Sequence, residues 1–226
     1  MSGLIVQSAL GVTLIGGSDC DSDDLALALR LAPDLVAADS GAMTALRLGR
    51  RPKAVIGDMD SLDTLTAAGL DRRTIHRIDE QDTTDFEKCL LRIGAPVILA
   101  VGFSGGRLDH ELANLNILSR YPQKPCIVIG VADICFHCPP ALGLDLAAGT
   151  RVSLFPMAPC TGRSTGLRWS IDGIGFAPGG RVGTSNAAEG GPVSLEMDAP
   201  GMLVMLPRDE LAQAVRAVAS AAARDG

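Results

Sequence analysis

The chain has 226 residues, enough for one large domain or two small ones with a sizeable buried core. A 47% hydrophobic share against 20% charged excludes a disordered chain, and 3% aromatics leave few platforms for stacking single-stranded bases. The net charge of −6 argues against nucleic acid as a partner.

From the N-terminus, short apolar runs alternate with helical patterns. Val12–Ile15 reads as a strand ending on Gly16-Gly17, and Asp24–Leu31 as a helix. Leu35–Ala38, Ala54–Ile56, Pro96–Val101 and Cys126–Val131 read as further strands. Ala42–Leu48, Asp85–Ile93 and Asp109–Ser119 read as helices. Continuous apolar strands between helices predict a doubly wound, mainly parallel sheet, whose ligands bind beyond the carboxyl ends of the strands. After about Leu142 the pattern changes. Arg151–Phe155, Gly166–Trp169, Val193–Met197 and Met202–Leu206 read as short strands between Gly, Pro, Ser and Asn turns. Arg208–Ala223 reads as a closing helix. The fold class expected is thus α/β, with an α/β domain over 1–142 and an all-β sandwich domain with a closing helix over 143–226.

No apolar run approaches the ~18–20 residues of a membrane span, so no membrane partner is expected. The uncharged first 17 residues lack the basic start of a signal peptide. Six cysteines in a chain this long do not make a disulfide scaffold, and Cys135-x-x-Cys138 has no second pair to close a zinc site. Reduced thiols and a cytoplasmic location are the expectation.

The residues able to carry chemistry sit at predicted strand ends. Between Asp58 and Glu87 there are nine acids and three arginines, so this window alone nets −6 and the rest of the chain is balanced. Such a concentration suits a hard cation, or equally a solvated acidic loop. Asp58 and Asp60, two apart at the end of a buried strand, share one face in an extended chain. Thr84 and Glu87 fit a capping box that opens a helix, with Asp85 in its first turn. That structural reading leaves Gln81 and Asp82 without a role. Asp39-Ser40-Gly41 turns from strand into helix. Gly102, Gly105 and Gly106 permit close backbone approach to a ligand, and Arg107 offers a fork of donors for phosphate. Asp109 is a plausible helix N-cap, and His110 a helix-surface or packing residue. Neither a Walker A sequence nor a dinucleotide fingerprint occurs.

Six segments in order, ADSGA (38–42), GDMDSL (57–62), QDTTDFEKCL (81–90), GGRLDH (105–110), GLRW (166–169) and TSN (184–186), resemble the thiamine pyrophosphokinase family. The resemblance implies an α/β nucleotide domain joined to a β-sandwich domain, and a homodimer with shared active sites. It implies Mg²⁺-dependent pyrophosphoryl transfer from ATP to the hydroxyethyl oxygen of thiamine, giving thiamine diphosphate and AMP. Position by position it makes Asp58, Asp60 and Asp85 the metal and phosphate acids, acting in catalysis with Arg107. Asp39, Gly41, Thr84, Gly105, Gly106, Arg107 and Asp109 fall in the ATP site, and Gln81, Ser185 and Asn186 beside thiamine. No aromatic follows Asn186, and Trp169, the single tryptophan, reads as core or as pocket wall, with core favoured. Two other readings stay open: a haloacid-dehalogenase-like phosphatase using Asp58 as nucleophile, and a non-catalytic nucleotide- or thiamine-binding protein.

Overall fold

The computed structural model describes residues 3–59, 66, 68–80 and 82–225. It is a mixed α/β fold that divides into two compact units, Met1–Asn114 and Leu115–Gly226.

The first unit holds β1 (Val6–Gln7), β2 (Val12–Ile15), α1 (Ser22–Leu31), β3 (Asp34–Ala38), α2 (Gly41–Arg47), β4 (Ala54–Gly57) and β5 (Ile75–Arg77). It continues through α3 (Asp85–Arg92), β6 (Ile93–Gly94) and β7 (Ile98–Val101), and α4 (Leu108–Arg120) runs out of it. Strands run in the order β7-β2-β3-β4-β5, every pair parallel. β2, β4 and β7 are buried at all four positions, as expected for parallel strands covered on both faces. Thr13, the one polar residue among them, donates its hydroxyl to Ala32 O at 2.6 Å and so satisfies itself in the core. Helices start where the sequence supplies caps. Asp21 accepts from Asp23 and Asp24 N–H ahead of α1, and Thr84 accepts from Glu87 N–H ahead of α3. In this unit expected and observed helix limits agree to within two residues, and Ile93, read as the last residue of α3, begins β6.

The second unit contains β8 (Cys126–Ile129), β9 (Asp133–His137), β10 (Ala141–Leu146), β11 (Arg151–Pro156), β12 (Gly162–Thr165), β13 (Gly183–Ala187), β14 (Gly191–Met197), β15 (Met202–Pro207) and α5 (Leu211–Asp225). Its strands run in the order β13-β11-β15-β9-β8, all pairs antiparallel, with a separate antiparallel set β10-β14-β12. This division falls before residue 142 because β9 pairs with β15, from the far end of the chain, and with β8. Gly166–Trp169, read as a strand, makes only the single bridge Leu167–Ala188. The closing helix begins at Leu211, after a 3₁₀ turn over Arg208–Glu210. Among the described helices none is long and apolar enough to cross a membrane.

All six cysteines are thiols, five buried and Cys20 half-buried. Burial pushes the Cys135 and Cys138 thiols up to about 12, which keeps both protonated at neutral pH. His137, between them, is 8% exposed and accepts from Gly201 N–H at Nε2 (2.9 Å). Burial lowers its pKa from 6.5 to about 4. As pH falls between these values the unfolded chain takes the proton first, so stability declines toward acid. The loss by pH 4 amounts to about 3 kcal/mol. Chemical unfolding of His137→Gln at pH 7 and pH 4 will show a smaller difference than the parent; an equal difference removes His137 as the cause.

Candidate active site

In the first unit the order β7-β2-β3 puts a switch point beside β2, because the chain leaves β2 toward β3 and later returns on its other side as β7. Ligands of such sheets bind at that point, outside the carboxyl ends of the strands. A cleft of about 520 Å³ lies there, lined from the ends of β2 (Gly17, Ser18), β3 (Ala38, Ser40), β4 (Asp58) and β7 (Gly102, Phe103). The first turns of α3 and α4 complete it. Backbone crowding explains the glycines. A Cβ on Gly16 would strike Gly102 O, and one on Gly41 would strike Ile15 O, so only hydrogen fits where the two turns meet.

The cleft gathers five of the expected residues: Asp58, Thr84, Asp85, Gly106 and Arg107. Asp58 and Asp85 are 26% and 36% exposed, so both carboxylates reach the cleft from buried elements. Between them lies Lys88, to which the sequence reading gave no role. Its Nζ donates to Asp85 Oδ1 at 3.1 Å and stands 3.6 Å from Asp58 Oδ2. The signal was present in the spacing, since an acid three residues before a lysine on a helix pairs with it. Asn114 was also missed. Its buried Nδ2 donates to Phe103 O at 2.9 Å and fixes the turn after β7. Phe86 and Phe103, with centroids 4.7 Å apart, tie α3 to the same turn.

Other expected residues are placed differently. Asp39 follows β3 with φ +38, its Cβ side packed against Gly57, and is not among the residues lining the cleft. Gly41 is a packing glycine that begins α2 against Ile15 O. Gly105 N–H is taken by Glu111 Oε2 at 3.2 Å. Asp109 lies in the first turn of α4, inside the helix it was expected to cap. It grips Arg107 through two bonds, Nε–Oδ1 at 3.1 Å and Nη2–Oδ2 at 2.6 Å. That ion pair holds the Asp109 carboxyl below the usual carboxylate range and aims the Arg107 fork. Met59, between the two acids of the D-x-D pair, adopts φ +65, a strained conformation for a long side chain. Asp60 and Gln81 lie outside the described residues.

Ser185 and Asn186 line a second pocket, of about 280 Å³, in the second unit. Opposite β11, Val152 faces Asn186 but Leu154 faces Gly183, so β13 carries one extra residue. Ser185 takes the strain of this bulge, with φ +63 and its N–H donated to Ser153 Oγ. The Asn186 amide is spent within the protein: Oδ1 accepts from Trp169 and Ala187 N–H, and Nδ2 donates to Trp169 O at 2.7 Å. Asn186 is therefore a clamp on the Trp169 segment. Trp169 itself is 54% exposed and walls this pocket, correcting the expectation that it lies in the core. Within GLRW it is Leu167, bridged to Ala188, that is buried, while Asn186 clamps the Trp169 backbone and its ring stays exposed. Arg168 stacks on its ring at 4.8 Å. Asn186→Ala will leave the Trp169 backbone groups without partners and cost about 2 kcal/mol in chemical unfolding. No change would mean that water replaces the amide.

Residues 25–129 match the family model of the thiamin pyrophosphokinase catalytic domain. Thiamine pyrophosphokinase 1 of Arabidopsis thaliana is 31% identical over 173 residues, 68% of this chain and 65% of that protein. The match thus spans somewhat less than two thirds of the relative's length. In fold, the thiamin pyrophosphokinase of Geobacillus thermodenitrificans superposes with a TM-score of 0.69 at 23% identity, covering 87% of this chain and 96% of that one. The Candida albicans enzyme gives 0.71 at 17% identity, over 88% and 89%. These likenesses displace the phosphatase reading of Asp58. The chain is thus similar to thiamin pyrophosphokinases, in sequence over its residues 25–129 and in fold over most of its length.

Proposed function

We propose that this protein transfers a pyrophosphoryl group from ATP to the hydroxyethyl oxygen of thiamine, releasing AMP. The observation that carries the reading is the convergence of Asp58, Asp85, Lys88 and Arg107 on one strand-end cleft in the matched domain. The thiamine oxygen attacks the β-phosphorus, the bond from that phosphorus to the α-phosphate oxygen breaks, and AMP leaves. The hydroxyl proton goes to Asp60 or Asp85, since an alcohol is a poor nucleophile until its proton is accepted. Arg107, aimed by Asp109, meets charge developing on the phosphates.

Lys88 neutralises only part of the charge of Asp58 and Asp85, and each carboxylate is partly exposed to the cleft, a donor set suited to Mg²⁺ bound along with phosphate oxygens. Asp58, Asp85 and Asp60 are the residues that would hold Mg²⁺, which when bound would neutralise phosphate charge.

Thiamine falls to the second pocket, where Trp169 offers an aromatic face to a cationic ring and Ser185 a polar edge. On this reading an α/β nucleotide domain is followed by a β-sandwich thiamine domain, and the chain works as a homodimer with shared active sites. The thiol set supports a reducing, cytoplasmic setting.

Chromatography of nucleotides after mixing protein, ATP, Mg²⁺ and thiamine tests the reading. AMP formed in step with thiamine diphosphate is expected. ADP or free phosphate, or binding of thiamine without turnover, would overturn it.

A further inference from the structure

His137 ends β9 and lines neither pocket described above. Its Nε2 accepts from Gly201 N–H, so the ring proton sits on Nδ1, which is a donor. Nδ1 is buried, and among the described residues it has no hydrogen-bond partner. The ring cannot turn to find one without giving up the Gly201 bond. Gly201 is itself fixed, with φ +119 and its carbonyl accepting from Met157 N–H at 2.6 Å. A buried donor left unpaired is costly, so it marks a place where an acceptor is missing.

His137 stands in the wall of two cavities of the second unit, of about 280 and 330 Å³. The smaller adds half-buried Lys124 and the apolar side of α5 at Val218 and Ala221. Pro122, Pro125, Pro139 and Pro140 give it stiff walls, which lose little freedom when a ligand enters. Burial holds the Lys124 ammonium below its usual pKa, because its charge is incompletely hydrated there. The larger cavity presents Asp198, which repels an anion. A cation and an N–H donor on an otherwise apolar wall call for an anionic acceptor on a small apolar body.

We propose that the cavity bordered by His137, Lys124 and α5 binds a small apolar monocarboxylate, whose oxygens accept from His137 Nδ1 and pair with the Lys124 ammonium. The site shares no residue with the Trp169 pocket or with the strand-end cleft.

The test uses the full-length protein labelled with ¹⁵N-histidine. The chain has three histidines, so each imidazole can be followed by magnetic resonance, and His137 is identified by its loss in His137→Gln. Benzoate, phenylacetate and hexanoate are the probes, with benzyl alcohol and benzylamine as neutral and cationic counterparts. At least one carboxylate is expected to bind with a Kd of roughly 1 mM or tighter. It should move the His137 Nδ1–H signal downfield and leave His76 and His110 in place. Lys124→Met should weaken it by roughly tenfold or more, and Ala222→Phe, which fills the cavity from α5, should abolish it. No His137 shift with any of the three carboxylates at roughly 10 mM overturns the proposal. So does equal binding of benzyl alcohol or benzylamine, a comparison that needs no variant. Carboxylate binding unchanged in whichever variant keeps the parent melting profile would place the ligand elsewhere and overturn it too.

Discussion

Replacing Asp85 by Asn will lower thiamine-dependent AMP formation by roughly 10²–10³-fold with the fold intact. Asp85 opens α3 and meets Lys88 Nζ, so its carboxylate faces the cleft from a fixed backbone. The amide is isosteric and can still accept from Lys88 through its oxygen. What it lacks is the negative charge that a phosphate-bound cation or a departing proton requires. Because Asp58 remains 3.6 Å from Lys88, the buried ammonium is not left alone, and the melting temperature should fall by only a few degrees. Initial rates by AMP release, with a thermal melt on the same preparation, check both halves. A rate within tenfold of the parent on an unchanged melt would remove Asp85 from the mechanism.

Trp169→Ala will raise the KM for thiamine by roughly 2–30-fold, the range of an aromatic contact with a cation, while the KM for ATP stays put. The cleft that would take ATP lies wholly in the first unit and Trp169 in the second. Since the ring is largely exposed and covered by Arg168 on one side only, its loss should barely move stability. Trp169→Phe should recover part of the affinity. The chain holds a single tryptophan, so quenching of its fluorescence by thiamine reads the contact directly. No quenching, with KM unaltered in the Ala variant, would place thiamine elsewhere.

The parallel half was legible because its strands are apolar runs and its helices carry their caps in sequence, as at Asp21 and Thr84. The strand-end rule then led to Asp58 and Arg107 without coordinates, and the family resemblance added Asp85. What stayed hidden depends on partners distant in the chain. β9 reads as nothing in particular until β15 pairs with it some 65 residues on. Trp169 looked like core because a lone tryptophan in an apolar chain usually is, and only the Asn186 clamp shows it held outward. Lys88 was given no role, since nothing local shows that its side chain is buried between two acids. Asp39 and Asp109 were assigned to the nucleotide by position. In the structure one packs on Gly57 and the other aims Arg107.

The unequal burial of the thiols has a practical use. Five of them are out of reach, and burial holds Cys89, Cys126, Cys135, Cys138 and Cys160 in the protonated, unreactive form. Cys20 stands nearer the surface, next in the chain to Ser18 and Asp19 on the cleft wall. A maleimide dye should therefore attach at one place without any engineering, at the rim where a nucleotide would enter. The native chain thus carries its own attachment point for an optical reporter of ligand arrival, separate from the tryptophan that would watch the other pocket.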